Sequence, residues 1–199
     1  MTDEPPSSQS QKVDLECSQP ASTPRVGQAP PAFRDLFEAE FSYIFHSLRR
    51  LGVREADQED LTHDVFVIAY RRLPDFDVTR SLRPWLFGIA YRVASDYRRR
   101  ARHLREVADT DELEPVDHAP LADKQLAGEQ TRQLVLDALD HLDLDRRAVL
   151  VMHDIDGHAM PKIAEELSIP LNTAYSRLRL AREQFRAVVQ RIQLQRDKQ

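Results

Sequence analysis

"MPKIAEELSIPLNTAYSRLRLAREQF", Met160 to Phe185, is the stretch on which the fold turns. Ile163, Ala164 and Leu167 recur at helical spacing, so "MPKIAEEL" predicts a short helix with an inward apolar face. Pro170 cannot continue that helix, and "SIPL" reads as a break. Asn172 or Thr173 then offers a side-chain oxygen to cap a second helix. Along it Ala174, Leu178, Ala181 and Phe185 share one face. Asn172, Thr173, Ser176, Arg177, Arg179 and Arg182 lie off that face, free to point outward. A helix, a tight turn and a capped helix with an Arg/Ser/Thr surface is the shape that enters a DNA major groove. Arginine can bond both acceptors of a guanine edge, and Ser and Thr bind phosphates or bases. An ordinary two-helix corner with a solvated basic face carries the same pattern.

Upstream, the remaining periodicity is also helical. Phe33, Phe37, Phe41, Ile44, Leu48 and Leu51 form one stripe, and Gly52 ends that helix. A second helix runs from about Glu55 to Leu73, with Leu61, Val65, Ile68 and Ala69 inward and Pro74 closing it. Pro84 opens a third helix that runs to about Leu104, with Trp85, Leu86, Ile89, Ala90 and Val93 as its apolar stripe. Residues 105–130 are acidic, contain Pro115 and Pro120, and read as a linker. Residues 1–32 hold six of the 12 prolines and few apolar side chains, and read as a disordered tail. The expectation is an all-α chain with two small domains, 33–104 and 131–192.

Charge is unevenly distributed. The chain carries −5 overall, yet Arg80 to Arg105 holds eight arginines against Asp96 alone, and 172–199 holds seven basic groups against two acids. Two basic islands in an acidic background point to two local anion-binding surfaces. In the first, Tyr91 and Tyr97 stand among Arg92, Arg98, Arg99 and Arg100. Aromatic rings beside arginines suit unstacked nucleic-acid bases, which offer a face to stack on and a phosphate to pair.

Several chemistries find no support. Taking Gly157 of "DIDGH" as the glycine of a calcium loop puts Met152 and Ile163 at positions that need oxygen ligands. The seven histidines lack metal spacing, and Cys17 is the sole cysteine. No phosphate-binding glycine loop or nucleophile turn is present, so neither an enzyme nor a cofactor is expected. The N-terminus has no basic-then-apolar leader, and no apolar run nears the ~20 residues of a membrane helix. A cytoplasmic chain without membrane insertion is expected.

Three segments in this order resemble the extracytoplasmic-function (ECF) group of bacterial sigma factors, over roughly Phe33 to Val189. "EADQEDLTHDVFVIAYRRLPDFD" is similar to the helix that docks on core RNA polymerase. "RPWLFGIAYRVASDYRRRAR" is similar to the segment that melts and reads the promoter −10 element. "ALDHLDLDRRAVLVMHDIDGHAMPKIAEELSIPLNTAYSRLRLARE" is similar to the −35-reading domain.

The resemblance implies roles. Glu59, Asp60 and Asp64 would face the polymerase β′ coiled coil, with β as the further polymerase partner. Arg80 to Arg83 would receive a flipped −10 base. Arg92, Asp96, Tyr97, Arg98 and Arg99 would meet the opened strand. Asn172, Thr173, Ser176, Arg177, Arg179 and Arg182 would read −35 promoter DNA. An anti-sigma factor is a partner the family admits, and nothing in the sequence identifies one. Departures are Arg92 for a usual Asn, Asn172 for a usual Gly, Tyr175 for a usual basic residue, Leu180 at a usual basic position, Leu142-Asp143 for Leu-Pro, and Ala159 for a capping Ser. These changes touch positions that would meet bases and leave the scaffold intact. Two rival functions share parts of the pattern: a helix-turn-helix regulator that acts without polymerase, and an adaptor whose basic faces bind an acidic protein.

Overall fold

A computed structural model of the chain describes residues 32–108 and 126–196, and all regular structure among them is helical. The expected tail with Cys17, and the body of the expected acidic linker, lie outside the described residues. The elements are α1 (Phe33–Arg50), α2 (Glu55–Arg72), a 3-10 turn (Leu73–Asp75), α3 (Leu82–Ala108), α4 (Leu126–Asp140), α5 (Leu144–Leu150), a π turn (Val151–Ile155), α6 (Met160–Glu166) and α7 (Leu171–Arg196). α3 begins two residues before the expected Pro84 and extends past Leu104. α4 begins within the segment read as linker, because weak apolar periodicity hid its first turns.

The first three helices pack on one another, α4, α5 and α6 pack around α7, and α3 touches α6. Ile44, Leu48, Val65, Leu86 and Phe87 build the first half of the core. Leu139, Val149, Met152, Ile163 and Ala181 build the second, and a single apolar cluster joins both. Trp85, expected as core, is half-buried and packs on Phe76 with ring centroids 4.7 Å apart. The Phe33–Phe37–Phe41 stripe is likewise half-buried and closes over Phe66.

Local chemistry sets the joints. α1 and α2 carry acids in their first turns and arginines in their last, which complements the helix dipole. Gly52 ends α1 at φ +85°, a conformation that favours glycine. A Cβ at Gly52 would collide with the Arg147 guanidinium of α5, so the two halves meet closely there. Asp143 caps α5, its Oδ1 accepting from the Arg146 N–H at 2.9 Å. The Asp of the unusual Leu142-Asp143 pair is thus a helix starter. α6 opens with Pro161 in its first turn and no side-chain cap at Ala159.

The α6–α7 turn differs from expectation in one detail. α7 starts at Leu171, and the Pro170 carbonyl accepts from the Ala174 N–H at 3.1 Å. Asn172 and Thr173 therefore stand inside the first turn instead of capping it. Ser168 makes the turn possible with φ +55°.

Candidate nucleic-acid and polymerase surfaces

On α2, Glu59, Asp60 and Asp64 are all exposed. Asp60, Asp64 and Val67 recur at four and three residues, so they form one row. Val67 and Tyr70 are exposed large apolar side chains, and the Tyr70 ring meets Phe33 edge-on at 4.9 Å. Along this row α2 passes from acidic to apolar. Sequence reading found the acids and missed Val67 and Tyr70. Their signal was two apolar residues off the inner stripe.

The first basic island divides. Arg92, Asp96 and Arg99 lie in one exposed row of α3, and an Asp96–Arg99 bond of 3.0 Å spans it. Such an exposed pair contributes little and is readily exchanged for a phosphate. Tyr97 faces α2 instead: its hydroxyl donates to Asp57 at 2.7 Å and accepts from Arg54 at 3.0 Å. Burial, reinforced by Asp57, raises its pKa. Arg98 lies beside the Gly52 turn. Arg83 donates to the mostly buried Glu40 at 2.9 Å, with its guanidinium 5.1 Å from the Tyr43 ring centroid.

Other members of the island reach the opposite half. Arg80, in the loop before α3, binds Glu166 at 2.6 Å and Glu165 at 3.1 Å. Its Nε is buried without a partner. Arg92 approaches the Glu166 carbonyl at 3.4 Å, where the C-terminal end of α6 attracts a cation. The Tyr91 hydroxyl donates to Asp145 at 2.5 Å, and burial with this bond pushes its pKa up to about 12.

Asp145 also holds Arg177 of α7 at 2.5 Å, leaving that side chain about three-quarters buried. One carboxylate thus ties an expected −35 residue to the expected −10 helix. Arg182 binds both oxygens of Asp154, which lowers the Asp154 pKa. Arg179 pairs with Glu183 at 2.7 Å in full view of solvent. Asn172 and Ser176 are exposed, and Thr173 is half-buried.

The π turn explains "DIDGH". Its wider coil sends Asp154 to α7 and Asp156 back to α1, where Asp156 accepts from Tyr43 at 2.9 Å and Arg50 at 3.3 Å. These acids serve the packing of helices. Among the described residues no group of three or more His, Cys, Asp or Glu side chains is placed to hold a metal ion. None of the described helices is long and apolar enough to cross a membrane.

Arg147 completes the junction. It is 1% exposed, donates to Asp140 at 2.9 Å and to the Leu142 carbonyl at 3.2 Å, and has a buried, unpartnered Nε. Burial, helped by nearby Arg98, lowers its pKa to about 10, so it stays charged near neutrality.

Two helical units in this order, each with its own basic face, have known counterparts. Residues 36–104 match the family described as Sigma-70 region 2, and residues 132–185 match Sigma-70, region 4. RNA polymerase sigma factor NccH of Alcaligenes xylosoxydans xylosoxydans is 28% identical over 166 residues, covering 82% of this chain and 89% of NccH. The ECF RNA polymerase sigma-E factor of Escherichia coli strain K12 is 25% identical over 167 residues, covering 80% and 87%. The chain belongs to the sigma-70 family, in its ECF group.

Solved structures agree on the fold of this sigma factor. The sigma factor RpoE in complex with the anti-sigma factor NepR, from Bartonella quintana, matches with TM-score 0.64 at 22% identity, over 79% of this chain and 96% of that one. CnrH in complex with the cytosolic domain of CnrY matches with TM-score 0.58 at 26% identity, over 79% and 87%.

Proposed function

We propose that this sigma factor binds core RNA polymerase through the acidic and apolar row of α2, reads the −35 element through α7, and opens and reads the −10 element through α3 and the Arg80 loop. The observation that carries this is the order of the two sigma-70 regions, each on its own helical unit with its own basic surface. The functional units are 33–104 and 131–192. The chain works in the cytoplasm, where polymerase and promoter are, and performs no covalent chemistry. A regulator acting without polymerase would not need the α2 row.

The described arrangement is the closed form of this machine. The −10 and −35 elements, about 25 base pairs apart by their names, lie roughly 85 Å apart at ~3.4 Å per pair. A compact chain of this length has a radius of gyration of roughly 16 Å. Both elements can be read at once only after Arg80, Tyr91 and Arg177 exchange their acidic partners for DNA and polymerase. A regulator that favours the packed form would therefore inhibit, and CnrH, of the same fold, has been solved with the cytosolic domain of CnrY. An anti-sigma factor is the corresponding partner class here.

Run-off transcription with core polymerase over a promoter library tests the assignment. Selective initiation from promoters sharing −35 and −10 sequences is expected. Failure to bind core polymerase in a pull-down would remove the reading.

A further inference from the structure

Among the described residues, Leu171 and Tyr175 are two of the six exposed large apolar side chains, at 40% and 53% exposure. Both lie in the opening turns of α7, four residues apart, with Arg179 next in the row. They are not part of the inner stripe, where Ala174, Leu178 and Ala181 are buried. A lone exposed apolar residue needs no explanation. Two side by side, at the end of the helix that enters the groove first, are a surface feature.

The arginines of α7 sharpen the point. Arg177 is held by Asp145, and Arg182 by both oxygens of Asp154. Of the three arginines expected to read the −35 element, Arg179 alone has an exposed and weak tie, to Glu183. The exposed groups at the leading end are Leu171, Asn172, Tyr175 and Ser176. This tip is half apolar, yet its helix belongs to a segment with seven basic groups against two acids, 172–199. A polyanion with small apolar groups fits that combination, whereas an apolar protein partner does not. In the major groove the thymine C5-methyl is the apolar group presented by a base edge.

We propose that Leu171 and Tyr175 form an apolar reader of thymine methyl groups in the −35 element. A usual basic residue at position 175 would seek guanine acceptors. Tyr175 shifts the preference at that contact toward thymine. Arg179, next along the row, supplies the phosphate or base contact beside it. This rests on the assignment of α7 to the −35 element.

The test uses the full chain on core polymerase. A −35 element is first selected from a randomised duplex library. Each thymine in it is then replaced singly by deoxyuridine, which lacks only the methyl. At one or two thymines the replacement should weaken binding about fourfold, the worth of burying one methyl group. The Leu171→Ser/Tyr175→Ser variant should bind thymine and deoxyuridine duplexes equally, with unchanged far-UV circular dichroism. Tyr175→Phe, which keeps the ring, should retain the discrimination. A selected element without thymine, indifference to deoxyuridine at every position, or discrimination that survives in the double Ser variant would each overturn the proposal. Absence of any −35 selection would instead bring down the α7 assignment, and this inference with it.

Discussion

Gly52 shows how much one position can fix. Its φ of +85° ends α1, and the missing Cβ admits the Arg147 guanidinium. Gly52→Ala is expected to cost about 1–2 kcal/mol from the left-handed backbone alone, and more if Arg147 cannot shift. Urea denaturation read by circular dichroism measures it. The glycine's role as a helix stop was legible from composition, but the arginine arriving from 95 residues away was not, since contacts between distant segments leave no local signature. Asp143 is a similar case: the sequence marks it only as a departure from the family pattern, and the bond to the Arg146 N–H shows it to be a cap. His158 gives a pH dependence. Its Nε2 is buried without a partner, and burial, with Arg83 adding, lowers its pKa while Asp156 opposes. His46 is shifted in the same direction, first by burial and then by Arg50 and Arg49. The unfolded chain therefore binds more protons below the ordinary histidine pKa of about 6.5. Stability should fall as pH drops below about 6.5 towards the lowered folded pKa values, and His158→Gln should flatten that slope in urea midpoints taken across the window.

At the scale of the element, α7 carries the strongest local signal and the most informative misreading. Its apolar stripe was plain in the sequence, because period 3.6 over a long run is hard to mistake. Its start was displaced by two or three residues, since Pro170 closes the turn with its backbone while Asn172 and Thr173 merely look like caps. Which arginines are free was not legible either, because their partners come from α5 and the π turn. Arg177→Ala should weaken −35 binding by roughly 1–3 kcal/mol if it reads a base. It also frees Asp145, so a −35 duplex titration should be paired with Asp145→Asn. That change is expected to strengthen binding by releasing Arg177, and an unchanged affinity would place Arg177 outside the DNA contact. On α3, Tyr97 is anchored to Asp57 and Arg54. Tyr97→Phe should therefore act through helix position, whereas Arg92→Ala and Arg99→Ala, in the exposed row, should impair promoter opening at unchanged core binding. Potassium permanganate footprinting of the −10 region separates the two.

At the scale of the whole molecule, the acidity that seemed foreign to a DNA-binding chain is used internally. Glu166 and Asp156 are nearly buried, with side chains 6% and 7% exposed, and each meets a cation of the other half, as Asp145 meets the Tyr91 hydroxyl. None of this was visible in segment charges, which count acids without saying what they face. The Glu166 and Asp156 carboxylates are shielded, so added salt should open the closed form only weakly. Neutralising them should open it strongly. Glu166→Gln, Asp145→Asn and Asp156→Asn each remove the negative charge from an acid that faces the other half, at about 1 kcal/mol apiece. Together they should shift the equilibrium toward the open form roughly a hundredfold. Spin labels at exposed His63 and Glu183, in a Cys17→Ser background, report the change by double electron–electron resonance. The parent should give a narrow, short distance distribution, and the triple variant a broad, longer one approaching that of the parent on core polymerase with promoter DNA. An unchanged distribution would mean that the apolar cluster shared by the two halves holds the closed form by itself, and that polymerase must break packing and not charge to open it.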